Sequence, residues 1–280
     1  MKYPILLLYA LFLLGHSALC QIGEYLGDES ELYAQTKQVN QFILRFNGEE
    51  SADGERLYPG EPYFRDPKVR RRYIELLFDA GQAGITPSKK KAFIDSVVPK
   101  QTSFLSLRSD QWFAEVNLKV RYNNKVEPLT LFLKIEQDGQ GYRWSLYKAY
   151  FEPYARDFKK VRDQKDKPFL HPMSHELGFI NLHKILRPGT DLTPYLHKQT
   201  PPDHLTKLLD DFRSGKATFQ TVAETRFHVF QVAGWYFKLE NIQRTGLNTG
   251  WLITDLTSLE PGDQSILTEY ILKTKFWYYT

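Results

Sequence analysis

Side chains able to bind a metal or move a proton concentrate in one stretch of the chain. His171, His175, His183, His197 and His204 fall within 34 residues. His171 and His175 stand four apart with Glu176 adjoining. On a continuous helix that spacing sets two imidazoles on one face, as zinc ligands require. Pro172 interrupts the pair and the H-E-x-x-H order is absent, so a capping, surface or core role is the preferred reading. His228 is the other candidate, as a general base. With Gln231 it is the polar side chain nearest a core on the second-half strands. Acid–base work inside a fold also needs an inward carboxylate whose pKa burial can raise. Glu115, Glu136 and Glu240 fall instead on strand faces that read as wet. No G-x-S-x-G turn and no Walker loop is present, which leaves acyl and phosphoryl transfer without their usual motifs.

Aromatic side chains outside the periodic segments are a second lead. Tyr58, Tyr63 and Phe64 lie in a loop rich in proline and glycine, and Trp235 follows the bend Ala233-Gly234. Trp277 belongs to the terminal run Phe276-Trp277-Tyr278-Tyr279. Aromatics in loops and at termini suit contact with a ligand or protein, and capping of the core is the competing role. The basic runs Lys68, Arg70 to Arg72 and Lys89 to Lys91 read as solvated helix faces.

These residues must be positioned by helices and long strands. Val39, Phe42, Ile43 and Phe46 have the i, i+3, i+4, i+7 spacing of an amphipathic helix. A second helix is expected from Pro67, with Val69, Tyr73, Leu76 and Leu77 inward and Gly81 and Gly84 beyond it. In the other half, Leu177, Ile180 and Leu182 to Leu186 read as helical, as do Leu205, Leu208, Leu209 and Phe212 before Gly215. Between these pairs the period falls to two. Trp112, Ala114, Val116, Leu118, Val120 and Tyr122 form one apolar face, and Leu129, Leu131, Leu133 and Ile135 form another. Asn123-Asn124 suits the hairpin between them. An internal echo supports two halves. Phe132 to Glu136, a polar turn and Trp144 are answered by Tyr236 to Glu240, a polar turn and Trp251.

The ends and the composition add limits. Lys2, the apolar run Ile5 to Leu14 and the small residues Ser17, Ala18 and Cys20 have the layout of a secretory signal cut before Gln21. The run is too short to span a bilayer. Cys20 is the sole cysteine. Its removal leaves neither disulfides nor thiol chemistry, and its retention as a lipid anchor is the alternative fate. A net charge of +4 across 280 residues is too mild to imply nucleic acid. The hydrophobic content of 42% suffices for a core.

Helices followed by a long antiparallel sheet resemble the NTF2-like superfamily of cone-shaped α+β folds. Ser30 to Tyr154 is similar to one such unit, and Ser174 to Thr280 to a degenerate second. The phrases His175 to Leu182 and Gly234 to Phe237 also resemble uncharacterised exported proteins of Bacteroides-type bacteria. The resemblance implies either a small-molecule isomerase or dehydratase, or a binding or assembly module without catalysis. The Asp, His or Tyr that catalytic members place inside the cone has no residue-by-residue match here.

The expected architecture is therefore α+β, with two tandem helix-helix-antiparallel-sheet halves. Residues 1–20 form the signal, 21–155 the first half, 156–172 a charged linker and 173–280 the second half. The expected function is an exported, periplasmic or extracellular binding or assembly module that contacts an envelope protein or a small ligand. No cofactor is implied, and no transmembrane helix is expected in the mature chain. A hydrolase or isomerase using His228 and a zinc protein using His171 to His204 are the alternatives.

Overall fold

The computed structural model describes residues 38–51, 54–99, 103–154, 172–190, 192, 195, 197, 204–245 and 248–272. The signal segment, Cys20, His171, Trp277 and the charged stretch 155–171 lie outside the described residues. Helix α1 (Val39–Asn47) begins with a reciprocal cap between Gln38 and Gln41 and ends at Gly48, whose φ is 72°. Helix α2 (Pro67–Leu76) is capped by the Asp66 carboxylate, which accepts from the backbone N–H groups of Lys68 and Val69. Helix α3 (Pro87–Val97) is capped in the same way by Thr86. Both α2 and α3 open on proline, whose missing N–H costs nothing in a first turn.

Six strands follow in two meanders: β1 (Trp112–Tyr122), β2 (Lys125–Asp138) and β3 (Gly141–Tyr150), then β4 (Ala217–Val229), β5 (Trp235–Ile242) and β6 (Gly250–Ser258). They form one antiparallel sheet of order β3-β2-β1-β4-β5-β6. The two meanders join through β1 and β4. Between them lie 3-10 turns at Glu152–Tyr154 and Pro172–Leu177, α4 (Leu182–Ile185) and α5 (His204–Arg213), and α6 (Asp263–Ile271) follows β6. The fold class is thus α+β. Among the described residues no helix is long and apolar enough to cross a membrane.

The period-two faces are where the sequence puts them. Trp112, Ala114, Val116, Leu118 and Val120 are buried with Leu129, Leu131, Leu133 and Ile135 under the helices. Asn123 and Asn124 turn the β1–β2 hairpin with φ of 49° and 63°, the left-handed pair that a two-residue turn demands. A single core takes residues from both meanders, with Phe227 packed against Trp112, Trp144, Phe179 and Trp251. The outer edge of β6 is partly closed by the segment after α2. The Asp79 N–H donates to the Ile253 carbonyl at 3.0 Å, and the Ile253 N–H donates to the Leu77 carbonyl at 2.8 Å.

Several expectations are corrected. Helices α3 and α6 were not anticipated. The inward face of α2 is Arg70, Ile74 and the following Leu77, while Leu76 points to solvent. The helix read across Leu177 to Leu186 is a 3-10 turn and a four-residue α4, with Ile180 exposed. Gly178 and Phe179 between them have φ of 56° and 59°, which an α-helix cannot contain. The sheet's second face is not wholly wet. Phe113, Phe132, Phe230, Tyr236 and Leu272 form a second apolar cluster there, with Leu267 and Ile271 packed against it.

Candidate functional site

Two places concentrate polar or exposed functional side chains. The first is on the second face of the sheet. Alternation in β1 puts Phe113, Glu115 and Asn117 opposite the main core. Strand pairing then sets Glu115 beside Arg226 and Phe113 beside His228. The next register sets Arg226 beside Glu240 and His228 beside Lys238. The result is a charge ladder across three central strands. Arg226 meets Glu115 at 3.3 Å, Glu224 at 2.6 Å and Glu240 at 2.8 Å. Lys238 reaches Glu240 at 3.3 Å. Like the Glu115 ladder, Glu136 on β2 is buried and bonded to Arg143 at 2.6 Å. These carboxylates are paired across strands and not bathed in water as their alternation implies.

His228 sits in this ladder, 4% exposed. Its Nε2 lies 3.0 Å from Glu115 Oε2, and its Nδ1 lies 2.9 Å from the Tyr236 hydroxyl. The Phe113 ring stacks on it at 4.9 Å. Burial pushes the imidazole pKa down. The hydrogen bond and charge of Glu115 oppose that shift, while Lys238 and Arg226 add to it. A neutral ring satisfies both contacts, donating from Nε2 to the carboxylate and accepting at Nδ1 from the tyrosine. Burial also acts on Glu115, upward. The hydrogen bond of His228 and, once the ring is protonated at acid pH, its charge outweigh it together with Asn117 and Arg226, and hold the carboxyl at about 2. Burial, with Asp255 and Glu115, pushes the Tyr236 hydroxyl far above its ordinary value.

A carboxylate, imidazole and hydroxyl in line are the parts of a proton relay. Here the hydroxyl is held neutral and Tyr236 is itself 4% exposed. Both ring nitrogens of His228 are engaged. Of the two hollows described below, neither is lined by His228. What this arrangement does is lock β1, β4 and β5 together.

The described members of the histidine group, His175, His183, His197 and His204, have separate surroundings. His175 packs edge-on in the core against Trp112, Trp144 and Phe227 at 6.1–6.4 Å. His183 is exposed and bonded through Nδ1 to the Ile180 carbonyl. His197 stands edge-on to Tyr147. His204 meets Tyr154, and burial, with Lys148 and Lys207, lowers its pKa to about 4. Among the described residues no group of three His, Cys, Asp or Glu side chains is placed to hold a metal ion.

The second place is the loop before α2. Tyr58 and Tyr63 are 54% and 71% exposed, the latter among the most open large apolar side chains described. Tyr63 and Arg65 have φ of 68° and 55°. Left-handed backbone costs a non-glycine residue about 1–2 kcal/mol, and such strain concentrates where a surface is used. The loop is held by several contacts. The Tyr58 N–H donates to the Glu61 carboxylate at 2.7 Å, and the Arg65 N–H donates to the Gly48 carbonyl at 2.8 Å. The Arg65 guanidinium bonds Glu49 through Nε and Nη2. Gly48 suits this place, because its φ is 72° and a Cβ would crowd Arg65 Cα at 3.3 Å.

Behind the loop is a cleft of about 400 Å3, lined by Phe64, Arg65, Pro67, Arg70, Val98, Pro99 and Phe104. Phe64 is half-buried, with the Arg65 guanidinium 5.0 Å from its ring. Arg65 and Arg70 both lie over Phe104, at 3.9 and 4.6 Å. Arg70 was expected on a solvated face, yet it is 2% exposed. It donates to the carbonyls of Phe46 at 2.9 Å, Val97 at 3.3 Å and Ser103. A second, shallower hollow of about 600 Å3 lies between Tyr147 and α6. Trp235 is half-buried and stands edge-on to Phe93 at 5.3 Å.

The sequence reading missed Arg65, Arg70, Phe104, Glu115 and Tyr236 as members of these places. An available signal was the charge reversal Glu115, Arg226, Glu240 on paired strands. Compared with known proteins, the chain matches no protein-family model, no curated protein and no solved structure.

Proposed function

We propose that the chain is an exported, non-enzymatic binding module, built from two tandem NTF2-like halves, that holds an envelope protein or a small ligand at the Tyr58–Arg65 loop and its cleft. The observation that carries this reading is Tyr63, presented to solvent on strained backbone beside a cleft with aromatic walls. The two three-stranded meanders, each preceded by helices, support the tandem origin. The signal-like segment ending at Cys20 supports export.

A hydrolase or isomerase using His228 is the second reading, favoured by the Tyr236–His228–Glu115 line. Burial of all three side chains and the engagement of both imidazole nitrogens weigh against it.

Photo-crosslinking in the native host tests the main reading. A crosslinking residue at Tyr58 or Tyr63 is expected to yield a discrete adduct. The same residue at Val126, which is comparably exposed at 57%, is expected to yield none. Equal labelling at all three positions would sink the loop as a contact surface. Sequencing of the mature N terminus is expected to start at Gln21, and a mature chain that retains Met1 would remove export from the reading.

A further inference from the structure

The cleft behind the loop has the composition of a receptor for an amphipathic anion. Part of its wall is apolar, from Phe64, Phe104 and the adjoining Val98 and Pro99. Among the described residues, the charged groups that line it are the guanidiniums of Arg65 and Arg70, both seated over one phenyl ring. The ion pair with Glu49 occupies Nε and Nη2 of Arg65, so Nη1 is outside it. Two guanidiniums, Arg65 and Arg70, meet one carboxylate, Glu49. After burial, which lowers the Arg70 pKa to about 10, the largest influence is repulsion from Arg65, and it exceeds the attraction of Glu49. Among these three side chains the formal charge is +1, part of it taken up by the carbonyls that Arg70 bonds. Arg70 is nearly inaccessible and supplies field, while Arg65, more open, supplies donors.

From this geometry we infer that the cleft binds a carboxylate attached to an aromatic group, with the carboxylate at Arg65 and the ring against Phe64 and Phe104. A guanidinium meets a carboxylate through parallel N–H donors. The apolar walls reward a ring that a bare inorganic anion lacks. The volume falls within the usual range for small-ligand sites, about 300–1,000 Å3. Exposed Tyr63 extends the aromatic surface beyond the rim. Two sources share this chemistry: a free aromatic acid, and the C-terminal residue of a peptide that ends in phenylalanine.

The inference rests on the proposed binding loop and deepens it. The test is titration of the purified full chain, followed calorimetrically, with phenylacetate, with acetyl-Gly-Gly-Phe, and with the same peptide as its C-terminal amide. At least one of the two carboxylates is expected to bind with a Kd below about 1 mM, and the amide at least tenfold more weakly. Binding by phenylacetate alone points to a free acid, and tighter binding by the peptide points to a chain terminus. Arg65→Gln and Phe104→Ala are each expected to weaken binding at least tenfold while keeping the thermal midpoint within a few degrees. If one variant loses fold, the other decides. Failure of both carboxylates to bind at 10 mM, on the order of a 3 kcal/mol interaction, overturns the inference, as does unchanged affinity in a folded Arg65→Gln. Crosslinking at Tyr63 with no carboxylate binding leaves the contact loop standing and removes only this ligand class. Loss of both removes the loop as well.

Discussion

Replacing Arg70 with methionine is expected to destabilise the protein by about 3 kcal/mol, with little change in side-chain volume. The reason is where its donors go. Phe46 and Val97 are in the last turns of α1 and α3, where carbonyls have no partner within the helix. Arg70 donates to both, and to Ser103 in the following segment. The negative ends of two helix dipoles help to balance its charge. Methionine keeps the apolar packing and removes every donor. Each buried carbonyl left unsatisfied costs about 1–3 kcal/mol, partly offset because a guanidinium no longer has to be desolvated. Lysine retains the charge but, as a compact ammonium, cannot span acceptors that lie in different directions, so Arg70→Lys should fall between. Urea unfolding of the three proteins measures the order. A methionine variant within about 0.5 kcal/mol of the parent, the scatter of ordinary surface substitutions, would show that the three contacts are dispensable.

Glu115→Gln is expected to cost about 1–3 kcal/mol at pH 7, in the range for a buried acceptor that loses hydrogen bonds, one of them to a charged donor. The amide can still accept from His228, so shape is kept and charge is lost. The penalty should depend on pH in a stated direction. The folded-state pKa of Glu115 is about 2, below its ordinary 4.5. Its stabilisation is complete above pH 4.5 and drains away as pH falls through 2. The parent should therefore lose stability across that window, the variant should not lose this part, and the gap between them should close. His228 adds a second acid-side loss. Burial holds its folded pKa below 6.5. The unfolded chain then takes up the proton first as pH drops below 6.5, and stability falls in that direction in both proteins. Urea midpoints from pH 7 to pH 3 check both effects. A gap that stays constant down to pH 3 would mean that Glu115 is not held ionised by its neighbours.

These two residues also mark what a linear reading can see. Strands β1 and β2, their inward faces and the Asn123-Asn124 turn were legible because alternation and turn chemistry are local. The start of α2 was legible because a proline in a first turn is local too. Its inward face was not. Arg70 occupies an inward helical position, but charge made it look like a solvent residue. Helix α3 was hidden behind Lys89 to Lys91, because only Phe93, Ile94 and Val97 of it face the core. In the candidate site, Tyr63 and Phe64 could be picked from their loop, whereas Phe104, about 40 residues later, belongs to no periodic segment. The terminal run with Trp277 and the pair partner His171 lie outside the described residues.

The sequence by itself determined an α+β chain with one deeply apolar sheet face, an aromatic loop rich in proline and glycine before α2 and no familiar catalytic motif. Period-two alternation encodes which side chains share a face, because each residue's direction follows from its neighbours alone. Only the tertiary structure decided what happens on the other face. His228 finds Glu115 113 residues away, and Arg70 finds acceptors 24, 27 and 33 residues away. Such contacts depend on which strand lies beside which and where helices end against each other. Those placements are set by burial of the whole core, and no local preference of the residues involved encodes them.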